Sequence, residues 1–231
     1  METRHGYSQP EAYRFSHDSI ELATRAASLI ADRVGQAKGI RAPEIQVLDL
    51  CAGCGVVGLE LSRRLQAMLT AMFAAGPQAT VSIFANEIQD EYEAHFMKNV
   101  AWMRGQVQAL GEVNWRLGSY ETLLQPEFAN RFDLVVSNPP YFDLSQGNLP
   151  PSAFKARCRF FVDSDFETFL KVVAHVLKPE GEALLLVRDL SDHGLSREDS
   201  ISRILSPNGV WTSQEPVRGT GLVHFKKEFA I

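Results

Sequence analysis

Residues 132–142 run from a hydrophobic stretch into a polar residue, two prolines and an aromatic: Phe132-Asp133-Leu134-Val135-Val136-Ser137-Asn138-Pro139-Pro140-Tyr141-Phe142. The prolines remove backbone donors and stiffen the chain. The Asn138 side chain and the Pro139 carbonyl can therefore be held toward one spot, and both are acceptors. Two fixed acceptors suit a planar NH₂ group, whose two hydrogens they take together. The lone pair of an aromatic amine or carboxamide is delocalised and poorly nucleophilic. Bonding both N–H groups favours a more pyramidal nitrogen and localises that pair. Tyr141 adds a face on which a flat base or amide can stack. The plainer reading is a proline-stiffened loop with Asn138 capping a turn.

A second constellation is Asp49-Leu50-Cys51-Ala52-Gly53-Cys54-Gly55-Val56-Val57-Gly58, with Glu87 further on. Gly53 and Gly55 allow a tight turn and the close approach of a ligand to the backbone. Asp49 would accept hydrogen bonds from a ligand amine, and Glu87 could grip both hydroxyls of a ribose. Gly53-x-Gly55-x-x-Gly58 also fits a dinucleotide fingerprint, but Asp49 would repel the pyrophosphate such a turn must seat. Cys51-x-x-Cys54 has the spacing of a redox pair or half a zinc site, yet no second such pair exists. A turn without a ligand would leave the flanking acids without a purpose.

Strand-like and helix-like patterns alternate around these residues. Apolar spacings of three and four predict a helix over 19–34, capped by Asp18 or Ser19. Strands are expected at 44–50, 80–85, 113–117, 132–137 and 183–187. Helices are expected at 56–75, stopped by Gly76-Pro77, and at 89–102. The capping-box spacing of Ser164 and Glu167 opens a further helix that stops at Pro179-Glu180-Gly181. A helix at 197–205 precedes two final strands, 210–216 and 222–229. The expected fold is α/β: a doubly wound, mostly parallel seven-stranded sheet with one antiparallel strand near the C-terminus.

The 231 residues are 45% hydrophobic and 22% charged, which argues for one folded domain and against wholesale disorder. No apolar run approaches the ~18 residues of a membrane span, and residues 1–19 hold no apolar signal core. Three cysteines cannot build a disulfide framework. A soluble, cytoplasmic protein without an evident obligate protein partner or metal is expected. A net charge of −5 excludes non-specific attraction to nucleic acid as the sole holding force, but leaves room for a local basic stripe.

Asp49 to Gly58 and Glu87 resemble motifs I and II of the class I S-adenosylmethionine methyltransferases, and Asn138-Pro139-Pro140-Tyr141 resembles their amine-methylating loop. Gln9-Pro10, Tyr13-Arg14-Phe15 and Asp18-Ser19, followed by Ser137 to Phe142, resemble the bacterial tRNA adenine-N6 methyltransferases acting beside the anticodon of valine tRNA. The likeness spans roughly residues 9–187. It implies a single methyltransferase domain, with residues 1–43 closing over the cofactor and 44–231 forming a Rossmann-like core. Asp18, Ser19, Asp49, Cys51, Gly53, Gly55, Glu87, Ser119 and Asn138 would bind S-adenosylmethionine. Asn138, Pro139, Pro140 and Tyr141 would be catalytic. Tyr141, Phe142, Lys155, Arg157 and Arg159 would meet tRNA or another structured RNA, with Arg4, Arg14, Lys226 and Lys227 as possible additions. The chain departs from the family at Cys51, usually glycine, and at Ser119, usually aspartate, where Glu121 could substitute. RNA guanine-N2 and protein glutamine are the alternative targets. A non-catalytic cofactor-binding subunit and an NAD-dependent oxidoreductase stand further off.

Overall fold

The computed structural model describes residues 6–36, 44–73, 80–107, 110–191, 194 and 196–229. In chain order the elements are α1 (His17–Gln36), β1 (Glu44–Leu50), α2 (Val56–Met72), β2 (Thr80–Glu87), α3 (Glu93–Arg104), β3 (Val113–Leu117), β4 (Phe132–Ser137), α4 (Ala153–Arg157), α5 (Phe166–Val176), β5 (Leu177–Val187), α6 (Arg197–Leu205), β6 (Gly209–Val217) and β7 (Thr220–Lys227). The seven strands form one sheet in the order β3-β2-β1-β4-β5-β7-β6. Neighbours from β3 to β5 are parallel, while β7 runs antiparallel to both β5 and β6. That is the expected fold class, with β7 the single reversed strand. The two-residue Arg218-Gly219 hairpin enforces the reversal, since both residues take the positive φ that such a turn demands.

Strand alternation sends side chains to two separate cores. Val47, Leu134, Val136, Leu184 and Leu186 face a layer containing Leu22, Ile30, Leu59, Leu65 and Phe96 of α1 to α3. Leu48, Leu50, Val135, Leu185 and Phe225 face the opposite layer, with Phe169, Leu170 and Val173 of α5 and Ile201 of α6. A sheet buried on both faces is what a mostly parallel arrangement requires.

Several boundaries differ from the sequence reading, among them the start of α3 at Glu93 rather than 89 and the start of β5 at Leu177 rather than 183. Helix α1 begins at His17, so Asp18 and Ser19 lie inside its first turn rather than capping it. Asp165, not Ser164, caps α5 through the Thr168 amide at 2.7 Å, while the Ser164 hydroxyl donates to Glu121. Helix α5 ends at Val176, because buried Leu177 already pairs with Phe132; Pro179 to Gly181 form a bulge inside β5. The expected stop of α2 at Gly76-Pro77 lies outside the described residues, as does Arg4.

The segment ahead of α1 is held by buried Tyr7, which donates to Glu60 and packs edge-on against Trp102, by the Ser8 hydroxyl on His95, and by Asn99. Asn99 Oδ1 accepts from the Ser8 amide at 2.7 Å, and its Nδ2 donates to the carbonyls of Ser8 and Cys54 at 2.9 and 2.8 Å. Asn99→Ala leaves three backbone groups short of a partner, at an expected cost of about 3 kcal/mol. Thermal unfolding should fall by roughly 6–12 °C, and a loss under about 2 °C would show that Asn99 does not hold this segment.

Candidate active site

In this sheet the strand order reverses between β1 and β4, and open α/β sheets bind ligands outside the carboxyl ends of the strands at such a point. A cavity of about 300 Å³ lies there. Its lining includes residues after β1 (Cys51, Gly53), at the end of β2 (Asn86, Glu87), after β4 (Asn138 to Tyr141) and before or within α1 (Gln9, Tyr13 to Ser16, Asp18, Ser19).

The turn after β1 is pinned from both sides by carboxylates. Asp49 Oδ2 accepts from the Gly58 amide in the first turn of α2, and Glu87 Oε2 from the Gly53 amide, both at 2.8 Å. Glu87 Oε1 also takes the amides of Ile88 and Gln89. The acids therefore have structural work, and their presence alone does not demand a ligand. Burial pushes the Asp49 carboxyl up to about 8, against the lowering effect of the Gly58 amide; burial likewise raises Glu87. Asp49 is not among the cavity-lining residues, which runs against a direct contact with a ligand amine. Gly55 takes φ +80°, and a Cβ there would stand 2.5 Å from the Phe96 ring. Cys51, where the resembled family usually has glycine, also lies in the left-handed region at φ +60°, a conformation that favours glycine. Cys51 and Cys54 are free thiols, raised by burial, and among the described residues no cluster is placed to hold a metal.

Two observations suit a nucleoside at this end of the cavity. Three backbone amides leave one of the four acceptor positions of the Glu87 carboxylate unused. Beside it, Gln89 Oε1 is buried without a partner, while its amide nitrogen donates to Cys158 Sγ at 3.4 Å. Both are acceptors awaiting donors, as ribose hydroxyls or an exocyclic amine would be. Ser119 lines the cavity but spends its side chain capping the turn 120–124. Glu121 is held by Ser164 and does not line the cavity, so it does not replace the family's aspartate.

The loop after β4 is clamped from behind. The amides of Tyr141 and Phe142 both donate to the Arg159 carbonyl at 3.0 Å, and Phe161 N donates to the Phe142 carbonyl. Arg197 of α6 donates to the Tyr141 carbonyl at 3.0 Å, pairs with Asp143 at 3.2 Å, and lies over the Phe166 ring. Within the loop, Asn138 Oδ1 accepts from the Tyr141 hydroxyl at 2.6 Å, and its Nδ2 donates to Ser19 Oγ at 3.1 Å.

The basic stretch is only partly as expected. Arg157 lines the cavity but is neutralised by a two-pronged pair with Asp163. Lys155 and Arg159 are exposed, while the neighbouring Phe160 and Phe161 fold inward. Lys226 pairs with Glu180, and Lys227 binds the Ala174 and Leu177 carbonyls where α5 ends, so neither serves the cavity. Arg14 and Arg188 do line it, and Arg188 and Arg159 lie 5.5 and 5.7 Å from the centre of the Phe142 ring. No local pattern singled out Arg188, Arg197 or Gln89. Their roles come from contacts between distant segments.

The architecture is that of the class I S-adenosylmethionine-dependent methyltransferases. A structure from Listeria monocytogenes assigned to that class matches with a TM-score of 0.60 at 15% identity, covering 97% of this chain and 64% of the other. In sequence, the chain is similar to a tRNA1(Val) (adenine(37)-N6)-methyltransferase of Shewanella sp., 26% identical over 159 residues. That match covers 69% of this chain and 59% of the relative, so the chain spans little more than half the length of this curated relative. A release factor glutamine methyltransferase of Pasteurella multocida is 27% identical over 184 residues, covering 73% and 52%. No protein-family model matches the chain.

The raised Asp49 pKa fixes a sign for stability. Between the unfolded value near 4 and about 8, the folded chain holds a proton that the unfolded chain has lost. The stability from the protonated form is therefore full below pH 4 and fades as pH rises through 8. Asp49→Asn keeps an acceptor for Gly58 without that titration. It should remove most of a loss of roughly 3 kcal/mol between pH 5 and 8, measured by denaturant unfolding of the ligand-free protein. Equal slopes in variant and wild type would refute the assignment.

Proposed function

We propose that this chain is an S-adenosylmethionine-dependent methyltransferase acting on an exocyclic amine, with N6 of adenine in tRNA as its first substrate. The observation that carries the reading is Asn138-Pro139-Pro140-Tyr141 at the end of β4, on the same cavity as Glu87 and the turn at Gly53. S-adenosylmethionine, when bound, supplies an electrophilic methyl group.

The chain's own residues bind and align. Glu87 and Gln89 offer acceptors to the nucleoside hydroxyls or amine, and the backbone of 51–53 forms the floor beneath them. Gln9, Tyr13 to Ser16, Asp18 and Ser19 form the opposite wall, within the 1–43 segment expected to close over the cofactor. Asn138 Oδ1 and the Pro139 carbonyl would take the two hydrogens of the target amine, and the Tyr141 ring would hold the flat base. Alignment and fixed dipoles are the main contribution, and no strong general base is needed, because the amine becomes acidic only after transfer. An adenine in a tRNA loop must first leave its stack, which costs a few kcal/mol and less than in a duplex.

Exposed Arg14, Arg159 and Arg188 have no carboxylate partner among the described residues; Arg14 and Arg188 line the cavity, and Arg159 lies over Phe142 at the end of the Asn-Pro-Pro-Tyr loop. They suit the phosphates on either side of an extruded nucleotide. The similarity to the valine-tRNA adenine methyltransferase supports tRNA as the substrate. The likeness to a release factor glutamine methyltransferase keeps a protein carboxamide as the second reading, since that amide would meet the same two acceptors.

The test is transfer of labelled methyl from S-adenosylmethionine to tRNA lacking the modification, followed by nucleoside mass spectrometry. N6-methyladenosine is expected, and Asn138→Ala should lower kcat on the order of 100- to 1,000-fold with little change in cofactor Kd. Label in guanosine would move the target within RNA. Label in protein alone would favour the glutamine reading, and an Asn138→Ala variant with near-normal turnover would sink the mechanism. Replacing Arg14, Arg159 and Arg188 together by alanine should raise KM for tRNA about tenfold or more and flatten its salt dependence. An unchanged salt slope would rule them out as phosphate contacts.

A further inference from the structure

The amide of Asn138 is held at both ends, and one of the two partners comes from the far side of the cavity. Ser19 lies 119 positions away in sequence, on α1, and its side chain is buried. The family resemblance implies that Ser19 meets the cofactor, yet its hydroxyl oxygen accepts from Asn138 Nδ2 at 3.1 Å. The helix does not need that hydroxyl. Ser19 sits inside the first turn, where its backbone amide already donates to the Ser16 carbonyl.

An asparagine amide has two chemically opposite ends of nearly equal shape, so rotation by half a turn exchanges an acceptor for two donors. A target amine needs the acceptor end. The other end would set N–H groups against N–H groups. The Tyr141 hydroxyl donates to Oδ1 and uses one of its two lone pairs, which leaves the second for a substrate hydrogen. Without an acceptor at position 19, Nδ2 would lose its partner and the amide could turn over to meet the Tyr141 oxygen.

We propose that Ser19 is a positioning residue, which fixes the Asn138 amide with Oδ1 toward the substrate amine and so couples α1 to the loop after β4. The proposal rests on the amine-methyltransferase reading above and names one more residue of that site. It also separates two roles for Ser19 that a cofactor contact would merge.

Ser19→Ala tests it, and alanine is the better helix former, so the fold should hold, as a thermal melt would verify. The expected result is a fall in kcat on the order of 10- to 100-fold, with the S-adenosylmethionine Kd from calorimetry within about twofold of wild type. A kcat within about twofold of wild type, or a loss matched by an equal loss of cofactor affinity, would overturn the proposal. A second readout needs no substrate. The side-chain amide resonances of Asn138, identified by their loss in Asn138→Ala, should move in Ser19→Ala, and unmoved resonances would equally overturn it. If the wild type methylates no RNA while those resonances still depend on Ser19, the substrate reading fails and the coupling of Ser19 to Asn138 stands.

Discussion

Two buried carboxylates hold the turn after β1 by its backbone amides, and the shape of the cavity follows from that restraint. Asp49 and Glu87 sit on adjacent strands, 1% and 6% exposed; Glu87 accepts the Gly53 amide of the turn and Asp49 the Gly58 amide in the first turn of α2 that follows it. An acid oxygen so placed satisfies a buried backbone donor that would otherwise lack a partner. The turn is thus held by groups that the sheet itself fixes. Gly55 and Cys51 then take left-handed conformations that an untethered loop would relax. The same acids carry the penalty of burial, visible in their raised pKa values.

The remaining walls are built from pieces far apart in sequence and depend on a few polar side chains. Asn99 joins the segment at Ser8 to the carbonyl of Cys54, so the wall ahead of α1 is tied to the turn. Arg197 holds the exit of the Asn-Pro-Pro-Tyr loop by its backbone and is itself packed on Phe166 and Phe161. Burial lowers the Arg197 pKa, against its pairing with Asp143. These contacts place rigid supports behind flexible-looking residues, which is how a site made of loops can keep a defined geometry.

The division between what was legible and what was not follows this physics. Helices α2, α5 and α6 and all seven strands announce themselves through local periodicity and glycine or proline punctuation. Asn138 and Glu87 announce themselves through motifs a few residues long. The loop after β4 was legible as chemistry because prolines constrain it locally. Long-range pairings are different. Nothing near Ser19 points to Asn138, nothing near Arg197 points to the Tyr141 carbonyl, and Arg157 reads as a free cation until Asp163 is seen against it. The Pro179 bulge was misplaced because Pro-Glu-Gly ordinarily ends a helix, whereas burial of Leu177 against Phe132 had already done so. The flanking acids are bonded to backbone amides, which sequence does not display, so their presence alone does not demand a ligand.

Charge is sorted by depth within this acidic chain. The floor of the cavity carries Glu87, with Asp49 just behind it and no cation paired to either among the described residues. Exposed Arg14 and Arg188 line the cavity and exposed Arg159 lies over the Phe142 ring, none of them paired to a carboxylate among the described residues. The free acceptor positions on this floor suit a donor-rich ligand. Exposed, unpaired cations beside the cavity would attract a polyanion. The net charge of −5 keeps the rest of the surface from holding nucleic acid indiscriminately.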